Sequence, residues 1–152
     1  MFKKNFFIIF AFIFFASCEY KPIYSDSNKS NFKIIIKELS GDKKFNKFLV
    51  ESLKRSDQGE SSQIININID TQYTKVIVAK DTAGNVTDYQ IRAITSFIIN
   101  QNQTSRTFML NEKFNFQKMS DKYEEKSYEE KIKKNLAETI AQKLIFRLSV
   151  SQ

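Results

Sequence analysis

Cys18 is the single thiol in a chain of 152 residues that holds no histidine. These two facts narrow the chemistry sharply. Zinc sites of cysteine and histidine, Ser-His-Asp triads and Cys-His pairs all need side chains that this chain lacks. A disulfide would need a second cysteine. The three glycines, Gly41, Gly59 and Gly84, are scattered, and form neither a P-loop nor a G-x-G-x-x-G turn. Carboxylates remain. Asp81 and Asp88 flank a run of turn residues, a placement from which two acids would serve a hydrolase. Aspartate beside a turn more often accepts hydrogen bonds from its own backbone. The expectation is a protein that is not an enzyme, with no catalytic residue, no metal and no cofactor.

The surroundings of Cys18 give its thiol a different use. Lys3 and Lys4 place positive charge at the start, Phe6 to Phe15 contains only Phe, Ile and Ala, and the small Ala16 and Ser17 follow. Charge, apolar core and small residues are the three parts of an export signal. The apolar run falls short of the roughly 17–25 residues of a transmembrane helix. Phe15-Ala16-Ser17-Cys18 resembles the lipobox of bacterial lipoproteins, with Phe15 where Leu is more usual. That likeness implies cleavage before Cys18 and lipid attachment to its sulfur. An ordinary secretory signal beside a coincidental cysteine is the alternative. The expected division is a signal peptide over 1–17, a lipid-anchored flexible tether over 18–31, and one domain over 32–152. Glu19 is not the Asp that typically retains lipoproteins in the inner membrane, so the outer membrane, periplasmic side, is the expected location.

Composition supports a single core: 41% of residues are hydrophobic and 14% aromatic, with only one Pro among them to break long elements. The net charge of +7 suits an anionic partner or membrane surface, although solubility alone would account for it.

Elements follow from periodicity. Phe32–Leu39 is rich in β-branched residues and ends at Ser40-Gly41, as a strand does. Asp42 can cap a helix in which Phe45, Phe48, Leu49 and Leu53 share a face, joined by Ser52, before Lys54-Arg55 and the break at Ser56–Gly59. From Gln63 the period changes to two, with Ile65, Ile67, Ile69 and Tyr73 on one parity. Val76 and Val78 fall on the other parity, which predicts a bulge or strong twist near Thr71–Lys75. Asp81–Asn85 reads as a hairpin loop, Tyr89–Ile99 as a third strand, Asn100–Gln103 as a polar turn, and Phe108, Leu110, Phe114 and Phe116 as the inner row of a fourth. Ile94, Ile98 and Met109 lie on the outer parity. The last helix, from about Ser120 to Ser149, carries Tyr128, Ile132, Leu136, Ile140, Leu144 and Leu148 in one stripe, with acids in its first third. The order is β-α-β-β-β-α. It predicts an α+β fold, two helices on one face of a four-stranded, mostly antiparallel sheet, with one parallel pair permitted by the strand-helix-strand crossover.

At this level the chain resembles the LPS-assembly lipoprotein family (LptE). Two stretches carry the likeness: Cys18-Glu19-Tyr20-Lys21-Pro22-Ile23-Tyr24, and the helix around Asn135–Leu144 with Arg147-Leu148. Glu19 departs from the Gly that commonly follows the cysteine in that family. The resemblance implies an outer-membrane lipoprotein that assists lipopolysaccharide transport and assembly as the plug of a large β-barrel (LptD-like). Its implied partners are the barrel, lipopolysaccharide and the membrane, with no nucleic acid. The alternative is a generic periplasm-facing lipoprotein that scaffolds or activates another envelope complex. From the residues themselves, Lys80 beside the hairpin loop and Arg92 on the outer parity are the candidate lipopolysaccharide contacts.

Overall fold

The computed structural model describes residues 32–56, 63–101 and 104–150. The signal 1–17, the tether 18–31 and the break at 57–59 lie outside them. Six elements follow in the expected order: β1 (Phe32–Gly41), α1 (Lys43–Ser56), β2 (Gln63–Lys80), β3 (Val86–Gln101), β4 (Thr104–Gln117) and α2 (Lys122–Val150). The strands form one sheet in the order β1-β2-β3-β4. β1 pairs with β2 in parallel, and the other two pairs are antiparallel. The parallel pair arises because α1 carries the chain back between β1 and β2.

Both helices start where sequence chemistry allows. The Asp42 carboxylate accepts the Phe45 backbone N–H at 2.7 Å, and Asp121 accepts those of Tyr123 and Glu124 at 2.6 and 2.9 Å. These contacts satisfy backbone donors that no preceding turn can reach. β1 stops at Gly41, whose φ is +89°. A side chain there would collide with the Thr71 carbonyl oxygen, so the tight join of β1 to β2 needs glycine.

The core lies between the helices and one face of the sheet. Ile65, Ile67 and Ile69 of β2, Ile91, Ala93, Phe97 and Ile99 of β3, and Leu110 and Phe116 of β4 supply the sheet's share. α1 adds Phe45, Leu49 and Leu53, and α2 adds its whole stripe from Ile132 to Leu148. α2 runs back along β4: Lys143 pairs with Glu112, and Arg147 lies 5.3 Å from the Phe108 ring centre. Lys44–Glu130 and Arg55–Glu138 ion pairs join α1 to α2 along their length.

Two details differ from the sequence reading. The β2 register breaks between Ile77 and Lys80, a few residues beyond Thr71–Lys75. Lys75 therefore keeps the inner parity and Val76 faces outward. Lysine is tolerated there because its ammonium lies over the Tyr89 and Phe116 rings and reaches acids on α2. Likewise Asn100 and Gln101 do not turn but continue β3, pairing with Ser105 and Thr104. Backbone pairing is indifferent to side-chain polarity, and Asn100 falls on the outer parity. The rest of that predicted turn, Asn102 and Gln103, lies outside the described residues.

Candidate functional site

Alternation along the strands gives the sheet a second face that neither α1 nor α2 covers. Its side chains include Asn66, Asn68, Asp70, Gln72 and Thr74 of β2, then Gln90, Arg92, Ile94, Ser96 and Ile98 of β3. β4 contributes Thr107, Met109, Asn111, Lys113 and Asn115. Amides and hydroxyls dominate this surface. Apolar groups are set among them, with Met109 66% exposed, Ile98 38% and Val76 42%. Two acids toward β1 are already engaged: Asp70 accepts the Ser40 hydroxyl at 2.6 Å, and Glu38 the Asn68 amide at 2.8 Å.

The cations on this face are differently placed. Arg92 stands directly across from Lys113. Opposed side chains in an antiparallel pair have Cβ atoms about 4.5–5.5 Å apart, and like charges there repel. Among the described residues, no acid is adjacent to relieve them. Thr74 is opposite Arg92 on its other side, Gln90 and Ile94 flank it along β3, and Asn111 and Asn115 flank Lys113. Arg92 donates to the Gln90 side-chain oxygen at 2.9 Å, and Gln90 donates to Asn115 at 2.9 Å. Neither cation makes an ion pair among the described residues. The result is a concentrated positive spot backed by amides, suited to a phosphate or carboxylate.

Lys80 is exposed at the end of β2, where it pairs with Val86 beside the hairpin loop. Val86 and Arg92 are six residues apart on one strand, roughly 20 Å at the usual rise. The two cations singled out from sequence thus do not share one site. Lys113 is the partner that sequence reading missed. The only signal for it was strand register, which emerges from the pairing of β3 with β4.

Asp81 and Asp88 are occupied by structural contacts. Asp81 accepts the Asn85 side-chain amide at 3.0 Å and the backbone N–H groups of Asn85 and Ala83 at 2.8 and 2.9 Å. The Asn85 side-chain and backbone hydrogen bonds hold its carboxyl below the usual range. Asp88 accepts the Thr87 hydroxyl at 2.8 Å.

A third group of charges lies on the covered face and ties α2 to the sheet. Lys75 reaches Glu125 at 2.9 Å and Glu129 at 3.2 Å, with its ammonium 4.1 Å from the Tyr89 ring centre. Burial opposes its charge, yet the two carboxylates outweigh that and raise its pKa. The Lys75 hydrogen bond in turn lowers the pKa of Glu125, against its own burial, and the Met119 N–H assists at 3.1 Å. Lys133 bonds Asp42 at 3.1 Å and sits 3.8 Å from the Tyr73 ring centre. The Tyr73 hydroxyl is buried near Glu129 and, among the described residues, makes no hydrogen bond of normal geometry. Burial and the nearby Glu129 and Asp42 charges hold it protonated far above the ordinary phenol range. Among the described residues, no group of three or more acids or cysteines is placed to hold a metal ion.

Fold and surface together define a small α+β domain whose exposed chemistry lies on one bare sheet face. The same architecture occurs in bacterial lipoproteins of known structure. Rare lipoprotein B from Shewanella oneidensis matches with a TM-score of 0.55 at 12% identity, over 78% of this chain and 100% of its own. A minor lipoprotein from Acinetobacter baumannii matches with a TM-score of 0.53 at 12% identity, over 78% and 94%. Uncharacterized lipoprotein B from Nitrosomonas europaea gives 0.52 at 12%, over 80% and 86%. No protein-family model matches the chain, and no curated protein matches it in sequence.

Proposed function

We propose that this chain is an outer-membrane lipoprotein, anchored through Cys18, that assists lipopolysaccharide assembly as the plug or partner of a large LptD-like barrel. The observation that carries the reading is the bare sheet face. A surface of amides, hydroxyls and separate apolar groups fits the wall of a polar barrel lumen, where hydrogen bonds and modest apolar contact are both on offer. The Arg92–Lys113 pair adds a place for an anionic glycolipid headgroup, because paired cations without acids favour phosphate. Shared fold with bacterial lipoproteins and the lipobox-like Phe15–Cys18 supply the envelope setting.

The test is co-purification. Tagged full-length protein extracted from outer membranes in mild detergent is expected to bring down a large heat-modifiable β-barrel together with lipopolysaccharide. Mass spectrometry of the same material is expected to find Cys18 acylated at the mature N-terminus. Recovery without a barrel, or with an unmodified Cys18 thiol, would overturn the reading.

A further inference from the structure

The two ends of the domain differ in charge. Strand pairing brings the starts of β1, β2 and β4 and the finish of β3 to one end of the sheet. α1 finishes there, with Leu53 and Lys54 beside Ile34 and Ile36, and α2 finishes there, with Arg147 against Phe108. The described segments at this end, 32–37, 52–56, 63–68, 97–101, 104–109 and 142–150, hold seven lysines and arginines and no acid. Asp57 and Glu60, between α1 and β2 in sequence, leave the excess positive. The opposite end mixes both signs, with Asp42, Asp88 and Asp121 among Lys43, Lys118 and Lys122. The basic end also shows apolar side chains to water. Phe146 is 69% exposed and Val150, one turn further along α2, 70%, although Leu144 between the core and Phe146 is fully buried.

We propose that this end rests on an anionic phospholipid surface, with Phe146 and Val150 in the interface and Arg106 and Arg147 against lipid phosphates. The inference needs neither the barrel nor the lipopolysaccharide of the reading above. Exposed apolar groups ringed by cations bind such a surface twice over, by burial at the acyl boundary and by attraction to its charge. Arg106 shares the inner face of β4 with Phe108, over whose ring Arg147 lies, so both cations stand on the β4 side of the last turns of α2. Neither makes an ion pair among the described residues, which leaves their guanidinium donors for phosphate oxygens. The cations are spread over β1, α1, β4 and α2 and are not gathered in one pocket, as a flat sheet of negative charge requires. Phe32 opens β1 at this end, so an anchor at Cys18 leads into the domain from the same side. α2 then stands with its C-terminal turns toward the bilayer, and the Asp81–Asn85 hairpin points away from it.

The chain holds no tryptophan, so a single tryptophan reports cleanly on its position. Phe146→Trp and Tyr123→Trp are made in the full chain and reconstituted into nanodiscs of phosphatidylglycerol and phosphatidylethanolamine, without barrel or lipopolysaccharide. Tyr123 is 82% exposed on the same helix, about 35 Å away at the usual rise, and serves as the control. Phospholipids brominated near the headgroup are expected to quench position 146 several-fold more than position 123, with a blue shift at 146 alone. Arg106→Glu with Arg147→Glu should reduce that quenching several-fold while far-UV circular dichroism stays the same, and 0.5 M salt should weaken it in the unreversed protein. Equal quenching at the two positions would overturn the proposal. Undiminished quenching in discs of phosphatidylcholine would overturn it too, since charge would then play no part. A blue shift at 146 without lipid quenching, growing with protein concentration, would assign this end to a second copy instead. Since the discs contain no barrel, none of these outcomes bears on the co-purification test above.

Discussion

The two faces of the sheet are built from the same strands by alternate residues, yet they follow different rules. On the covered face, isoleucine and phenylalanine rows meet two helices, and the polar groups there are engaged with few exceptions. Thr71 and Thr95 share a hydrogen bond at 3.2 Å in full burial, and Lys75 is held between Glu125 and Glu129. On the open face, amides sit beside exposed Met109 and Ile98, and Arg92 is left facing Lys113. A repulsive pair is tolerated where water screens it and would be prohibitive on the covered side. The difference shows that stability resides on one face and leaves the other free to be shaped by a partner.

The strongest way to break this contrast is a charge on each face. Ile140→Asp buries an unpaired carboxylate and is expected to cost several kcal/mol, on the order of half the stability of a domain this size. Ile98→Asp on the open face is expected to stay within about 0.5 kcal/mol. Urea denaturation measures both, and comparable losses would mean that the open face carries the fold as well.

Gly41→Ala comes next. Positive φ and the Thr71 carbonyl oppose any side chain there, so a loss of at least about 1–2 kcal/mol is expected. Gly84→Ala is the control, since its φ is also positive at +85° but nothing lies within 4 Å of the added carbon. The smaller drop in melting temperature should belong to position 84.

The Thr71–Thr95 pair sharpens the account of the covered face. Thr95→Val alone strands the Thr71 hydroxyl and is expected to cost about 1–3 kcal/mol, whereas Thr71→Val with Thr95→Val should cost less than the single change. A double variant less stable than either single one would show that the hydroxyls have further partners.

The Lys75 cluster adds a pH dependence. Glu125 has a lowered pKa in the folded state, so its contribution is present above the unfolded value of about 4.5. It is lost as pH falls through the lower folded value. Lys75 has a raised pKa, so its contribution is complete below its unfolded value of about 10.5 and disappears as pH climbs through the folded one. Lys75→Met should therefore flatten the stability profile at both ends, in acid and in alkali. A profile unchanged in shape would mean that other groups set it.

The smallest effect on stability is expected on the open face. Arg92→Glu with Lys113→Glu should leave melting temperature nearly unchanged while weakening lipopolysaccharide binding markedly at low salt. Lys80→Glu, roughly 20 Å along the hairpin, should weaken it less. Equal losses would make the attraction a general effect of net charge.

Much of this protein was readable before any coordinates. Helix spacing from Tyr128 to Leu148, period two from Ile65 to Tyr73 and turn residues at Asp81–Asn85 are local signals, because each depends on how one segment divides between core and water. They gave six elements in order, their facing sides and the cap at Asp42, while the choice of Asp121 over Ser120 for the last helix came from the structure. What local pattern does not contain is register. Only the pairing of β3 with β4 sets Lys113 against Arg92, some twenty positions apart in sequence, and separates both from Lys80. Only the docking of α2 lets Lys75 take an inner position that its polarity argues against, since the acids that receive it lie fifty residues downstream. Pairing across a sheet is decided by the sum of many contacts at once, and no single stretch of chain carries that sum.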